Sequence, residues 1–269
     1  MKHIDGWWCP DVLSGPGKFL RRAAVIPYAL GFWHGPRRHV IQAGAHIGVW
    51  PRMLAQYFDA VTCVEPEPQN WACLLLNTSG VSRIQCVHGM LGVQHAFLAP
   101  LNVSVHGSGG HHAATRYDRD YTFVGQYTID DLADGHPVDA LFLDIEGAEW
   151  AALHGALETL ARWHPLLVLE DNSCGRKYGI EPGEVVVRGA AHAGEGAADH
   201  DLAVRLDDRC QGAAAGREFE VRIEGAIGAE AREAVAGDRR RRAGRLRPRE
   251  VAADDELAVG LKGERVDGR

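Results

Sequence analysis

The sequence lacks the features of secreted, membrane-spanning and nucleic-acid-coating proteins. Its 269 residues contain no run of the roughly 18 to 20 apolar residues that cross a bilayer, and residues 1–8 contain no apolar segment of signal-peptide type. The 29 Lys and Arg against 36 Asp and Glu give a formal net charge of -7, which disfavours a broad basic surface. We therefore expect a cytoplasmic protein that binds neither membrane nor nucleic acid.

Cysteine is sparse and scattered along the chain. The six cysteines form no C-x-x-C pair and no spacing typical of a zinc ribbon or a disulfide framework. They lie at positions 9, 63, 73, 86, 174 and 210. This distribution is typical of reduced thiols in the cytosol.

Aromatic side chains are almost missing from the last third of the chain. Only Tyr178 and Phe219 follow Gly175, and residues 189–269 are rich in Ala, Gly, Arg, Glu and Asp. Such a segment has little apolar surface to offset the entropy of ordering it. We expect an N-terminal substrate-side extension over 1–37, a folded domain over 38–188 and a loosely ordered tail over 189–269.

The folded domain alternates short apolar runs with helical patterns. Predicted strands cover His39–Ala43, 60–64, 83–87, 138–143 and 166–169, and predicted helices cover 49–58, 68–77 and 148–163. Apolar strands separated by helices are typical of a parallel sheet that is covered on both faces. The sequence therefore predicts an α/β fold with a doubly wound, mostly parallel sheet.

The first predicted strand runs into a glycine-containing turn, GAHIG at 44–48. Ligands of such sheets bind beyond the carboxyl ends of the strands, so this turn is a candidate binding element. Gly44 permits a tight turn, and Gly48 lets the backbone approach a ligand or lets a helix pack on the strand. His46 and Val49 stand where the dinucleotide pattern G-x-G-x-x-G has glycine, which disfavours NAD.

Acidic residues follow the second and fourth predicted strands. Glu65 lies after the second strand, where a carboxylate can accept hydrogen bonds from two ribose hydroxyls. Asp144, Glu146 and Glu149 crowd the end of the fourth strand. We expect Glu149 to cap the following helix and Asp144 to point into the crevice.

Four segments in this order resemble the FkbM-type methyltransferases, class I methyltransferases that use S-adenosylmethionine. They are VIQAGAHIG at 40–48, VEPEPQN at 64–70 followed by Leu76 and Asn77, YTIDDL at 127–132, and LDIEGAE at 143–149. The resemblance covers about residues 38–172 and implies a Rossmann-like methyltransferase domain over 38–188. It also implies methyl transfer, usually to a hydroxyl oxygen of a sugar, polyketide or related small molecule.

The resemblance implies that the turn at 44–48, with Ala45 and His46 inside it, holds the methionine part of the cofactor. Gln42 stands where many members have an aspartate, so a neutral contact to the cofactor's amino group is expected there. Many members also continue into a helix and an antiparallel strand pair, which residues 180–269 do not convincingly supply.

The remaining cofactor contacts implied by the resemblance follow the second and third strands. Glu65, with Pro66 beside it, would hold the ribose, and Asn70 matches a polar residue near the ribose or the adenine. The segment that contains Gly89 and Met90 resembles the one that flanks the adenine.

Methyl transfer to an alcohol needs an activated hydroxyl, because a protonated alcohol is a poor nucleophile. Asp144 is our first candidate for the base, with Glu146 as a substitute. The loop that carries His106, His111 and His112 offers further substitutes and could form a lid.

Two alternatives stay open at this point. Asp144 could instead bind Mg²⁺ together with Asp171 and Asn172, similar to the catechol-type O-methyltransferases, although residues 170–172 also fit an ordinary polar turn. The protein could also bind S-adenosylmethionine without catalysis, since Gln42 and the unusual tail depart from the family pattern.

The acceptor cannot be named from the sequence, but its contacts are expected in residues 1–36 and in the loop 104–126. Aromatic residues of the first segment are candidate walls for an apolar group or a sugar ring. They are Trp7, Trp8, Phe32 and Trp33.

Overall fold

The computed structural model describes residues 1–31, 33–104, 110–114, 121–170 and 173–180, and the backbone of three later strands. The strands are β1 (Lys2–Ile4), β2 (Trp7–Cys9), β3 (His39–Ala43), β4 (Ala60–Glu65), β5 (Ile84–His88), β6 (Met90–Leu91), β7 (Ala96–Asn102), β8 (His112–Ala113), β9 (Tyr121–Tyr127), β10 (Ala140–Leu143), β11 (Leu166–Glu170), β12 (Ala203–Asp208), β13 (Phe219–Glu224) and β14 (Val259–Lys262). The helices are α1 (Gly17–Arg22), α2 (Val25–Leu30), α3 (Val49–Leu54), α4 (Pro68–Thr78), α5 (Ile129–Ala133), α6 (Glu149–His154) and α7 (Leu157–Trp163), and a 3₁₀ helix covers Ser173–Tyr178.

The central sheet has eight strands in the order β14-β13-β12-β11-β10-β3-β4-β5. All neighbouring strands from β12 to β5 run parallel, whereas β13 and β14 run antiparallel to their neighbours. The predicted α/β fold with a mostly parallel sheet is therefore confirmed. The register pairs Ala43 with Leu143 and with Val64, so the strand ends that carry the candidate residues lie at one edge of the sheet.

Alternate residues of the central strands pack on opposite faces of the sheet, as the two-residue period of a strand requires. Val40 and Phe142 belong to a core cluster that includes residues of α2, α3 and α4. Ile41 and Leu143 belong to a second cluster that includes residues of α5, α6 and α7. Each face of the sheet is therefore covered by helices, which explains why the strands read as continuous apolar runs.

The tail contributes three strands that the sequence analysis did not predict. β12 pairs in parallel with β11, and β13 returns antiparallel to β12. We did not expect residues 180–269 to supply antiparallel strands, but β13 and β14 are such strands. The rest of 181–269 lies outside the described residues, and the loose order of this tail stays a prediction.

The helix predicted over 148–163 is interrupted at Gly155. A side chain at Gly155 would overlap the backbone oxygen of Gly92 and would lie 3.1 Å from Thr128 Cβ. At this point the chain therefore lies too close to Gly92 and Thr128 for any residue other than glycine. The carboxylate of Asp130 accepts hydrogen bonds from the backbone N–H groups of Glu158 (3.1 Å) and Thr159 (2.8 Å). These bonds satisfy the first turn of a new helix, α7.

A second sheet has the order β6-β9-β7-β8, and its strands β8 and nearly all of β9 fall in the expected loop 104–126. β7 runs antiparallel to both β8 and β9. In β7, Phe97 is exposed and Pro100 interrupts the pattern, so no clear two-residue alternation marks the strand. This sheet places Leu101 and the 110–113 segment against the carboxyl ends of the central strands.

The N-terminal segment docks on the central domain through Asn77, at the end of α4. The Asn77 side chain accepts a hydrogen bond from the Trp8 backbone N–H at 2.8 Å and donates to the backbone oxygens of Trp8 (2.8 Å) and Ile47 (2.7 Å). The β1–β2 hairpin is thereby tied to the turn after β3. Among the described helices, none is long and apolar enough to cross a membrane.

Candidate active site

A cleft of about 950 Å³, counted to its open mouth, lies at the carboxyl ends of β3, β4, β5 and β10. Most of the predicted site residues line it, namely Gly44, Ala45, His46, Glu65, Pro66, Asn70, Gly89, Met90, Asp144 and Glu146. Gln42 and Gly48 are not among the lining residues.

The turn after β3 has left-handed backbone at every second residue. The φ angles are 78° at Gly44, 51° at His46 and 92° at Gly48. A histidine in this region is uncommon, and its conformation is held because its N–H donates a 2.7 Å hydrogen bond to Glu65 Oε2. The turn therefore presents its backbone to the cleft in a fixed shape.

Gly44 lies where the end of β3 packs directly against the end of β10. A Cβ atom built on Gly44 would overlap the backbone oxygen of Asp144, so no other residue fits without moving a strand. The Asp144 N–H also donates to the Ala43 oxygen at 3.2 Å. The glycine turn and the acidic strand end are thus parts of one packed unit.

Gly48 and Gln42 support the turn from behind. A Cβ atom on Gly48 would lie 3.0 Å from Leu74 Cδ1, so this glycine serves the packing of α4, one of the two roles expected for it. Gln42 is fully buried, and its Nε2 donates to the Ala43 oxygen at 3.0 Å. In this structure, the Gln42 side chain lies behind the residues that line the cleft.

Glu65 is a carboxylate held inside the cleft wall by local donors. It is only 4% exposed. Its carboxylate accepts hydrogen bonds from the backbone N–H groups of His46 (2.7 Å) and Glu67 (3.0 Å) and from Asn70 Nδ2 (3.4 Å). Burial raises the pKa of Glu65 to about 7, against these hydrogen bonds, which lower it.

Two of these neighbours are fixed by α4. Glu67 caps the helix by accepting a 2.6 Å hydrogen bond from the Asn70 N–H. Asn70 is itself buried and points its amide at Glu65. A carboxylate with two acceptor oxygens, oriented by backbone donors at a strand end, suits the two hydroxyls of a ribose.

Asp144 lies in an ion-pair cluster that the sequence analysis did not foresee. Arg22 Nη2, from α1, lies 2.8 Å from Glu170 Oε1 and 3.7 Å from Asp144 Oδ2. The Glu170 side chain is 3% exposed and that of Arg22 is 13% exposed. Burial and the neighbouring Asp144 carboxylate raise the pKa of Glu170 well above its usual value, although Arg22 opposes this.

Glu146 is presented by a strained turn at the same edge. Its φ is 56°, and a Cβ atom on the following Gly147 would lie 2.5 Å from the Cys174 backbone. Cys174 Sγ donates to Glu146 Oε2 at 3.4 Å. Glu149, the first residue of α6, is fully buried and accepts from the Ile145 N–H at 2.9 Å, so it holds the turn that precedes the helix. The N-cap of α6 is Ala148, and helix capping by Glu149 stays a prediction.

Burial raises the pKa of Glu149 to about 8, and its interaction with the Asp144 carboxylate adds to the shift. Tyr178, the last residue of the 3₁₀ helix, donates its hydroxyl hydrogen to the Ala113 oxygen at 2.8 Å. Burial likewise raises the pKa of Tyr178. Neither side chain lines the cleft, so both support the residues that do.

Aromatic lining comes from residues other than those predicted. Phe19 of α1 stacks on His46 with ring centroids 4.1 Å apart, and both rings line the cleft. Trp7, Trp8 and Trp33 do not line it, and Phe32 lies outside the described residues. Trp33 is buried and donates to the Pro36 oxygen at 3.2 Å. The prediction of those tryptophans as cleft walls is therefore not supported. Trp7 packs against Arg52 of α3, and Trp8 packs against His3.

The histidine loop is described only in part. His111 and His112 line the cleft, and His111 Nδ1 accepts from the Ser104 N–H at 3.0 Å. His106 lies outside the described residues, as do Asp171 and Asn172. Within the described part of the chain, no group of three or more His, Cys, Asp or Glu is arranged to hold a metal ion. The cation beside Asp144 in this structure is the Arg22 guanidinium.

Comparison with known proteins identifies the family. The methyltransferase FkbM domain matches residues 42–183, which is more than half of the chain. The chain therefore belongs to the FkbM methyltransferase domain family, and the expected relation to S-adenosylmethionine-dependent methyltransferases is confirmed at this level. No curated protein matches the chain.

Solved structures resemble the chain only distantly. An O-methyltransferase from Bacillus cereus in complex with SAH is 12% identical over 56% of this chain and 55% of its own, with a TM-score of 0.31. A precorrin-6y C5,15-methyltransferase from Geobacter metallireducens is 10% identical over 75% and 68%, with a TM-score of 0.32. An amino pentose methyltransferase from Micromonospora echinaspora is 10% identical over 78% and 62%, with a TM-score of 0.30. The chain thus spans about half the length of the first of these proteins.

Proposed function

We propose that the protein transfers a methyl group from S-adenosylmethionine to a hydroxyl oxygen of a sugar, polyketide or other small molecule in the cytoplasm. The observation that carries the proposal is Glu65, a buried carboxylate that faces the cleft beside the glycine turn at 44–48. Membership of the FkbM methyltransferase domain family supports the same reaction.

The cleft is lined by groups that suit each part of this cofactor. Glu65 would accept the ribose hydroxyls, the backbone at 44–46 would hold the methionine part, and Gly89 and Met90 would flank the adenine. The acidic lining, with Glu65, Asp144 and Glu146, suits a ligand whose reactive centre is positively charged. When bound, the cofactor supplies an electrophilic methyl group on a sulfonium.

The residues beyond the strand ends would orient and activate the acceptor. Asp144 and Glu146 both line the cleft. In this proposal Asp144 would accept the proton of the acceptor hydroxyl, and Glu146 is the second candidate for that role. Phe19 and Leu101 supply apolar lining that excludes water and limits the acceptor's orientations. This arrangement supports a small acceptor bound inside the cleft and not a nucleic acid.

Phe19 and Arg22 also support the proposed division of the chain. Both belong to the N-terminal extension 1–37 and both line the cleft, so this extension would form the acceptor side of the methyltransferase domain 38–188. The 189–269 region would then be a tail whose strands β12, β13 and β14 extend the central sheet of that domain.

The proposed reaction is tested by labelling. The purified protein is incubated with methyl-labelled S-adenosylmethionine and fractions of cell extract, and labelled small molecules are identified by mass spectrometry. We expect Asp144→Asn to lower the labelling rate by about 100-fold or more, while cofactor affinity changes less than about twofold.

Glu146→Gln separates the two candidate bases, and Asp134→Asn, at an exposed position, is the matched control. A larger loss with Glu146→Gln than with Asp144→Asn would transfer the role of base to Glu146. A folded wild-type protein that binds the cofactor but labels nothing would favour the catalytically silent alternative.

A further inference from the structure

Two cysteines on neighbouring strands touch each other behind the cleft. Cys63 on β4 and Cys86 on β5 are register partners in the parallel sheet. Their Sγ atoms lie 3.5 Å apart, and both cysteines are free thiols. Neither residue lines the cleft, so the proposed methyl transfer does not use them.

The backbone geometry permits a covalent bond between these two sulfur atoms. Neighbouring strands lie about 4.7 to 4.9 Å apart, inside the range of roughly 4.4 to 6.8 Å that Cα atoms span in disulfides. Both side chains pack in the same core cluster, so they lie on the same face of the sheet. Closing the gap to a bond of about 2.0 Å therefore needs side-chain rotation and no change of strand register.

The two thiols have unequal environments. Cys63 is fully buried, whereas Cys86 is half-buried on β5, the strand at the edge of the sheet. Cys86 Sγ also lies 3.4 Å from Thr78 Oγ1. Cys86 is therefore the more accessible sulfur, with two neighbouring groups that can stabilise its thiolate.

The pKa values of the two thiols differ in the direction that these environments predict. The hydrogen bond from Cys63, assisted by Thr78, lowers the pKa of Cys86 to about 7 against the effect of burial. The same hydrogen bond and burial raise the pKa of Cys63 well above its usual value. By contrast, burial raises the pKa of Cys73, a neighbour in the same core, to about 11. At neutral pH the nucleophilic thiolate is thus concentrated at Cys86.

We propose that Cys63 and Cys86 are a site of reversible disulfide formation, with hydrogen peroxide as the oxidant. The Cys86 thiolate attacks one peroxide oxygen, breaks the O–O bond, releases hydroxide and becomes a sulfenic acid. The Cys63 sulfur then bonds to Cys86 Sγ and displaces the sulfenic oxygen, which leaves as water with the Cys63 proton. The cysteines lose two electrons in total, and the peroxide gains them.

This modification is compatible with a protein whose thiols are otherwise reduced. Disulfides of cytosolic proteins are usually transient and redox-sensing, and only one pair of described cysteines is in sulfur–sulfur contact here. The bond would join β4 and β5 two residues before Glu65 and His88, which are themselves register partners. The inference does not depend on the proposed methyl transfer.

The test uses the reduced full-length protein and hydrogen peroxide. After exposure, remaining thiols are alkylated with N-ethylmaleimide, and tryptic peptides are mapped by mass spectrometry. We expect peptides 53–83 and 84–116 to be joined, with loss of two hydrogens, and to separate on treatment with dithiothreitol. Peptide 53–83 also holds Cys73, so the bond is assigned by fragmentation and in the Cys73→Ala variant, which should keep it.

Single variants assign the order of the steps in the same experiment. Cys63→Ala should stop the reaction at a Cys86 sulfenic acid that dimedone traps, and Cys86→Ser should abolish both products. The wild-type rate should rise about tenfold from pH 6 to pH 8, because the thiolate fraction of a group with a pKa of about 7 rises by that factor. A wild-type protein that shows no joined peptides, or joins Cys73 instead of Cys63, would overturn the proposal.

Discussion

The two halves of the cleft are built in different ways. The half proposed for the cofactor consists of backbone and of one carboxylate, Glu65, whose hydrogen-bond donors all lie within 19 positions of it. The half proposed for the acceptor depends on side chains from distant segments, since Arg22 pairs with Glu170 across 148 positions. The first half is assembled from the ends of the successive strands β3, β4 and β5, and the second exists only after α1 and β11 have packed together.

This difference explains what each half can contribute. Backbone donors and a buried carboxylate are fixed by the strand ends, so they suit a cofactor of constant shape. The Arg22, Asp144 and Glu170 cluster is fixed by the docking of α1, whose Phe19 also stacks on His46. A change of the Arg22 side chain alone therefore alters this cluster while the Phe19–His46 contact stays in place. The variants below separate the two halves.

The largest effect is expected where the halves meet, at Gly44. A side chain there would overlap the Asp144 backbone oxygen, and φ is 78°. Gly44→Ala should therefore separate β3 from β10 and lower affinity for S-adenosylmethionine by more than about 100-fold. Gly80→Ala is the matched control, because Gly80 has a φ of 83° and nothing within 4 Å of a built Cβ atom. Equal losses in calorimetric affinity and thermal stability for both variants would refute this role of Gly44.

A change restricted to the first half is expected to have the next largest effect. Glu65→Gln removes the charge that would accept the ribose hydroxyls and should weaken the cofactor Kd by roughly 10- to 100-fold, since hydrogen bonds to charged groups contribute about 1.5 to 3 kcal/mol. The control is Glu67→Gln, which alters the cap of α4 outside the cleft lining and should stay within about threefold. Calorimetry distinguishes the two, and the opposite ranking would exclude Glu65 as the ribose acceptor.

The strand ends explain how much of the site could be predicted from the sequence. Glu65, Asp144 and Glu146 follow apolar runs directly, and parallel strands bring such positions to one edge, so a local pattern was sufficient to find them. Glu170 ends β11 and follows the same rule, but with its neighbours it was interpreted as a polar turn. The strand-end position was the signal that could have identified it.

Other parts of the molecule left no local signal. Phe19 and Arg22 lie in a helix of six residues. Nothing in their spacing indicates that Phe19 stacks on His46 or that Arg22 reaches strand ends more than 100 positions away. The second sheet was missed because β7 lacks regular alternation, and the interruption of the long helix depends on Asp130 and Gly92, which are remote in sequence. These features come from tertiary packing and not from periodicity.

A change restricted to the second half should affect turnover and not cofactor binding. Arg22→Gln leaves Asp144 and Glu170 without their shared cation, so the two acidic groups repel and Asp144 loses its orientation. Because the raised pKa of Glu170 favours its protonated form, the expected loss comes from the altered orientation of the Asp144 carboxylate. We expect the labelling rate to fall by about tenfold while cofactor affinity stays within about twofold. The control is Arg21→Gln, at the exposed neighbouring position of α1. A loss of cofactor affinity equal to the loss of turnover would show that Arg22 serves the first half instead.

The smallest effect concerns pH and again isolates the first half. The pKa of Glu65 is raised to about 7, and its ionised form accepts two hydroxyl hydrogen bonds, so cofactor affinity should rise as pH increases. The ionised fraction grows about fivefold between pH 6 and pH 7, and affinity should follow it. Titrations of Glu65→Gln correct for the cofactor's own ionisation. If wild type and this variant showed the same pH dependence, Glu65 would not be the titrating group that binds the cofactor.

The most direct test of the account is calorimetric titration of the folded wild-type protein with S-adenosylmethionine. We predict saturable binding of one molecule per chain, weakened in Glu65→Gln and retained in Asp144→Asn. A wild-type protein with an intact circular dichroism spectrum that releases no heat of binding would contradict the assignment of the cleft.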